Sequence, residues 1–120
     1  MKKTKICINE YLKFLNNEVK HCITYHYIRK DKIKTLNCND LAKLCEVTPA
    51  TISNLNTDSK FSLIEKIANE IYNNYYSYFE YNERKAKQEN PEEIIYPRDK
   101  YYIIMYLREY YNEDWLNPFN

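Results

Sequence analysis

The four cysteines and two histidines are the residues of this chain that could ligate a metal or act as nucleophiles. Cys22 and His26 lie four apart, on one face of any helix that holds them, and Cys38 and Cys45 follow. Together they could form a Cys₃His zinc site. The paired CxxC spacing of such sites is absent, and cysteine is among the residues most often buried in ordinary cores. They read as reduced thiols of a cytosolic protein, and no metal site is expected. His21 has no carboxylate or nucleophile at a diagnostic spacing, so no catalytic residue is expected and the chain does not read as an enzyme. Glycine is absent altogether. Phosphate-cradling loops, dinucleotide turns and nucleophile elbows all use glycine for close approach or positive φ, so no cofactor is expected either.

The other side chains with recognisable chemistry sit in "DLAKLCEVTPATISNL", Asp40 to Leu55. Leu41, Ala42, Cys45, Val47, Ile52 and Leu55 cannot share one helical stripe, because the phase breaks across Glu46-Val47-Thr48-Pro49. Two short helices joined by a tight turn can bury all six. Asn37 reads as the N-cap of the first, with Asp40 in its first turn. Thr48 caps the second, with Pro49 at the first helical position, where no N–H is needed. That second helix should run from Pro49 to Asn56.

The remaining elements must hold this pair. Ile8, Leu12, Leu15, Val19, Cys22 and His26 recur every three or four residues and predict a helix from about residue 6 to 30, continuous or broken near Asn16-Asn17. "RKDKIKT" is a basic connector. Ser62-Leu63-Ile64-Glu65 has the pattern of a capping box opening a longer helix with Ile64, Ala68, Ile71, Tyr75 and Phe79 on one face. "NERKAKQEN" reads as a solvated polar stretch. Asn90-Pro91 starts a short helix, and Pro97 opens a last one through "YYIIMYLREYY". The fold class expected is all-α.

The Asp40–Leu55 stretch resembles the helix-turn-helix of bacterial regulators: Leu41-Ala42, Glu46 at the turn, Val47-Thr48, Ile52 and Leu55. Two families fit. In the Cro and phage-repressor (Xre-like) group a following helix carries a pattern matched by Ile67-Ala68 and Ile71. In the N-terminal domain of MurR/RpiR-type regulators, Tyr27-Ile28 before the motif, and Thr48, Thr51-Ile52 and Phe61, find their counterparts. Each resemblance covers about half of the chain. Two departures stand out. The turn residue is usually Gly or Asn, because its φ is positive, and here it is Glu46. Asn54 stands where many regulators place Arg, the commonest reader of guanine.

The resemblance implies a partner, double-stranded DNA, and a transcriptional regulator of a phage or other mobile element. Pro49, Ala50, Ser53 and Asn54 would face the bases: Asn54 could bond adenine bidentately, Ala50 could touch a thymine methyl, and Ser53 could bond either base type. Lys43, Thr48, Thr51, Thr57 and Lys60 would reach phosphates. The alternative is an interaction protein, such as an antirepressor or an anti-CRISPR-like inhibitor, that keeps the unit as a scaffold. A zinc-dependent sensor is a third and more distant reading.

Charge and aromatics bear on partners. Residues 1–35 hold nine Lys/Arg against three Asp/Glu (+6), whereas residues 86–120 hold four against seven (−3). A basic front fits a polyanion. No apolar run is long enough to span a bilayer, and the start "MKKTKICINEY" lacks the apolar centre of a signal peptide. Eleven of fourteen tyrosines fall at or after Tyr72. The last helix is apolar nearly all round, so one side should pack inward on Ile71, Tyr75 and Phe79. The other, with Tyr102, Ile103, Tyr106 and Tyr110, should form a homodimer or protein-partner interface. The division expected is a helical domain over residues 1–88, with the helix-turn-helix at about 37–57, and a helical extension over 89–120.

Overall fold

The computed structural model describes residues 5–56, 58–92 and 103. Every regular element among them is helical, and the protein is all-α. Helix α1, Ile8–Thr24, buries Ile8, Tyr11, Leu12, Leu15, Val19 and Cys22, so the expected stripe is its core face. It runs unbroken through Asn16-Asn17 and stops well short of residue 30. The stop is at His26, whose φ of 61° no helix can continue. His26 N–H donates to Ile23 O and Tyr27 N–H to Cys22 O, the paired bonds of a Schellman closure. His26 is therefore an exposed cap and leaves the apolar stripe.

The basic connector does more than link. It holds one 3₁₀ turn, Lys30–Lys32, and then runs extended with Ile33 and Leu36 buried in the core. An extended segment has backbone groups to satisfy, and a buried one cannot use water. Leu36 meets this through two partners. Its N–H donates to the Tyr75 hydroxyl (2.9 Å), and its carbonyl accepts from the Asn16 side chain (3.0 Å). The Tyr75 hydroxyl in turn donates to Asn16 Oδ1, which closes a ring of three residues. Beside it the Asn74 amide donates to Lys34 O.

Helix α2, Cys38–Leu44, begins at once. Its cap is as read from the sequence, with a reciprocal addition: Asn37 Oδ1 accepts from Asp40 N–H (2.8 Å), and Asp40 Oδ2 accepts from Asn37 N–H. Helix α3, Pro49–Ser53, follows after a turn. Helix α4, Phe61–Asn74, starts differently from the reading: Lys60 is the N-cap, there is no side-chain cap bond, and Ser62 lies inside the first turn. The preceding Asn56–Ser59 turn sets this start. Asp58 N–H donates to Asn56 Oδ1, and Ser59 N–H to Asn56 O, so the chain is already redirected when it reaches Lys60.

Ile64, Ile67, Ala68, Ile71, Tyr75 and Phe79 are buried along the next stretch, as the periodicity requires. One continuous helix does not carry them. Tyr75 breaks the run (φ −102°, ψ 19°), and helix α5, Tyr76–Glu89, starts anew. Asn73-Asn74 are poor helix formers, and Asn74 and Tyr75 are both held sideways by the connector. The tyrosine patch divides accordingly. Tyr75 and Phe79 are core, while Tyr76 is exposed with its ring edge-on to Tyr72. "NERKAKQEN" is largely the exposed length of α5.

One residue of the C-terminal stretch is described. Ile103 is helical and 0% exposed, part of the same core as α1 to α4. It was expected on the outward side of the last helix, so that assignment is corrected: its side chain is already covered within one chain. Asn90, read as the cap of a new helix, instead ends α5 as its C-cap, and Pro91 and Glu92 form a turn. Tyr102, Tyr106, Tyr110 and the helix start at Pro97 lie outside the described residues, as does Thr57.

Tyr75 separates its two contributions cleanly. Tyr75→Phe keeps the buried ring and removes the hydroxyl, leaving the Leu36 N–H without an acceptor. We expect a loss of about 1–3 kcal/mol in urea unfolding, the cost of an orphaned buried donor. An unchanged midpoint would mean that the ring of bonds contributes nothing.

Candidate nucleic-acid interface

The turn between α2 and α3 decides where the α3 side chains point. Glu46 has a φ of 58°, in the left-handed region. Glu46 N–H donates to Lys43 O and Val47 N–H to Ala42 O, a second Schellman closure built without glycine. Val47 then folds back onto the core, and Thr48 restarts a helix. Its hydroxyl accepts from Thr51 N–H (3.3 Å) and also contacts the Thr51 hydroxyl (3.0 Å), with Pro49 in the first turn. Leu41, Ala42, Cys45, Ile52 and Leu55 are buried, and Val47 packs against them. Ala42 at 1% exposure sits where α2 and α3 pack together.

Helix α3 is shorter than its sequence suggests. It ends at Ser53, with Asn54 as the C-cap, because Leu55 turns inward and its carbonyl accepts from Ile6 N–H (2.9 Å). An isolated antiparallel bridge pairs Lys5 with Asn56 at the same place. The chain before α1 thus clamps the end of α3. This brings in an exposed cation, Lys5, that the sequence could not place beside α3, since nothing local signals a pairing fifty residues away. A shallow cavity of about 240 Å³ on this flank is lined by Lys5, Asn9, Cys38 and Ser53 among others.

Pro49, Ala50, Ser53 and Asn54 are all exposed, on the side away from Ile52 and Leu55. Ser53 Oγ–H donates back to Pro49 O (3.0 Å), so in this rotamer its oxygen is left to accept rather than donate. Of the expected phosphate contacts, Lys43, Thr48 and Lys60 are exposed and Thr51 is half-buried with its hydroxyl turned to Thr48. Lys43 and Lys60 flank the pair, one at the end of α2 and one at the start of α4. Glu46 lies near Lys66 (3.6 Å), an exposed pair that contributes little stability.

Beneath this surface Cys45 is a weak nucleophile. Burial, then the nearby Glu70, pushes its thiol up to about 11, partly offset by Lys66. Cys22, His26, Cys38 and Cys45 are not brought together, and no three His, Cys, Asp or Glu residues among the described ones could hold a metal ion. No helix among the described residues is long and apolar enough to cross a membrane.

Glu46→Gly should stabilise the protein by about 1 kcal/mol, since glycine removes the Cβ clash of the left-handed region and only an exposed ion pair is lost. Thermal or urea unfolding measures it. A destabilised variant would show that the Glu46 side chain contributes more than its backbone strain costs. No family model, curated protein or solved structure matches this chain.

Proposed function

We propose that the chain is a sequence-specific DNA-binding transcriptional regulator, working as a homodimer, that lays α3 in the major groove of duplex DNA. α2, the Glu46 turn and α3 are read as a helix-turn-helix unit. The observation that carries this reading is the left-handed Glu46 turn, which buries Ile52 and Leu55 while leaving Pro49, Ala50, Ser53 and Asn54 exposed on one face. Asn54 reads adenine, Ser53 accepts from a base amino group, Ala50 touches a thymine methyl, and Lys43, Lys60 and Thr48 position the phosphates. Lys5 adds a cation at the far end of α3. A phage or other mobile element is the proposed setting, through the resemblance to phage repressors.

Three features of α3 favour a second reading. α3 is only five residues long and carries no charge, and the Ser53 donor is already used. An antirepressor or anti-CRISPR-like protein would keep such a unit as a scaffold and bind another protein.

Selection from a random duplex pool at low salt separates the two. The regulator reading expects an enriched site, a steep salt dependence, and loss of sequence preference in the Ser53→Ala/Asn54→Ala double variant, about 1–3 kcal/mol for a bidentate contact. Absence of duplex binding at micromolar protein would overturn it in favour of the scaffold.

The homodimer is tested separately. With Ile103 in the core, the expected interface rests on Tyr102, Tyr106 and Tyr110. Sedimentation equilibrium should give a dimer that Tyr106→Glu/Tyr110→Glu dissociates, and a monomer at high micromolar concentration sinks this claim.

A further inference from the structure

A second surface lies at the opposite end of α1 from α3. Ile8, at the start of α1, lines the cavity next to Ile52 and Ser53. The 17 residues of α1 then carry the chain about 25 Å away. There the His26 turn leaves Tyr25 58% and Tyr27 48% exposed. Their rings belong to a continuous run. His21 and Tyr25 have centroids 4.6 Å apart, Tyr25 and Tyr27 6.1 Å, and Tyr27 and Tyr81 of α5 5.3 Å. The two tyrosine pairs lie within 21° and 10° of parallel.

Cations border these rings. An open cavity of about 350 Å³ is lined by His26, Tyr27, Tyr81, Arg84, Lys85 and Gln88, without a carboxylate. Lys85 is exposed and makes no ion pair among the described residues. Arg84 is paired only loosely, with Glu80 at 3.8 Å and both side chains largely in water. The chain leading on from Tyr27 carries Arg29, Lys30, Lys32 and Lys34, with Asp31 the one acid. Tyr27 lies stacked between Tyr25 and Tyr81, but centroid distances of 6.1 and 5.3 Å make both stacks offset, so these half-exposed rings keep part of their faces open to a flat π-system, and neighbouring cations select an anionic one.

We propose that this surface binds single-stranded nucleic acid, with bases stacked on Tyr25 and Tyr27 and phosphates held by Arg84 and Lys85. Bases in a duplex are already stacked on one another and cannot use these rings. A run of four rings is longer than one base covers, which favours a polymer over a mononucleotide. The site is separate from α3 and does not depend on duplex binding there.

Fluorescence anisotropy with a labelled twelve-nucleotide single strand tests it. The expected result is salt-sensitive binding that Tyr25→Ala and Tyr27→Ala each weaken about tenfold, within the range for loss of one stacked base. Arg84→Ala/Lys85→Ala should lower the slope of log affinity against log salt by about 1.4. The Ser53→Ala/Asn54→Ala variant should bind the strand normally, and circular dichroism checks that each variant is folded. An abasic strand of equal charge, or polyglutamate, that binds as well as the natural strand overturns the proposal in favour of generic polyanion attraction. A mononucleotide that displaces the strand at equal affinity overturns the polymer preference, and a strand that does not bind at all overturns the whole. Single-strand binding without duplex binding leaves this proposal standing and removes the regulator reading, while the reverse removes this one alone.

Discussion

The Tyr75 hydroxyl satisfies a demand that no regular element among the described residues meets. To pass from α1 to α2 the chain crosses the core in extended form, with Ile33 and Leu36 inside it. An extended strand without a neighbouring strand has no ladder, so its buried amides need side-chain partners. Tyr75 accepts from Leu36 N–H, Asn16 donates to Leu36 O, and the two side chains bond each other. Burial, and beyond it the Asp40 charge, push the Tyr75 phenol above its ordinary pKa, against the lowering effect of the Leu36 bond, so the phenol stays neutral at ordinary pH. The interruption between α4 and α5 falls at this same residue. The N-cap of α2, Asn37, directly follows Leu36, so the place where the connector is pinned sets where α2 begins, and through the Glu46 turn where α3 lies.

Left-handed backbone is the second constraint. A chain without glycine still closes α1 and α2 by the same two-bond motif, at His26 and Glu46. Each position carries a Cβ where none is comfortable, at a cost of about 1–2 kcal/mol. Each turn also throws a residue with a distinct environment to the position just beyond it. After Glu46 it is Val47, packed on the core; after His26 it is Tyr27, half in water against Tyr81. The same local geometry therefore builds a folded corner in one place and an aromatic surface in the other.

The local signals were readable from sequence because they act over three or four residues. The Asn37–Asp40 and Thr48–Pro49 caps, the α1 stripe and the two-helix burial of Leu41 to Leu55 all follow from spacing alone. What was not readable depends on distant partners. Lys34 and Leu36 draw on Asn74 and Tyr75 and so interrupt a helix whose periodicity is uninterrupted. Leu55 pairs with Ile6 and shortens α3. Ser62 and Glu65 have the spacing of a capping box, but the Asn56–Ser59 turn begins the helix two residues earlier, with Lys60 as the N-cap. The exposed Tyr25–Tyr27–Tyr81 surface joins residues more than fifty apart, so its parts look unrelated in the linear chain.

The bond from Ile6 N–H to Leu55 O closes a noncovalent loop over residues 6–55. Closing a loop of that length costs conformational entropy that grows only with the logarithm of its size, so one amide and the burial of Ile6 can hold it shut. This bond joins segments far apart in sequence, whereas α2 and α3 can assemble from nearby residues. The two ends of α3 then differ in kinetic character. The Thr48 end is held by bonds within a few residues and forms as fast as a helix turn. The Leu55 end waits for a long-range closure and reopens whenever residues 5–7 peel away. Peeling would return Asn54, Leu55 and Asn56 to the freedom of a loop while leaving Pro49 and Ala50 in place. A ligand seated along the whole of α3 would stabilise the closed form, and the start of the chain would exchange its amide hydrogens more slowly, although the ligand never touched it.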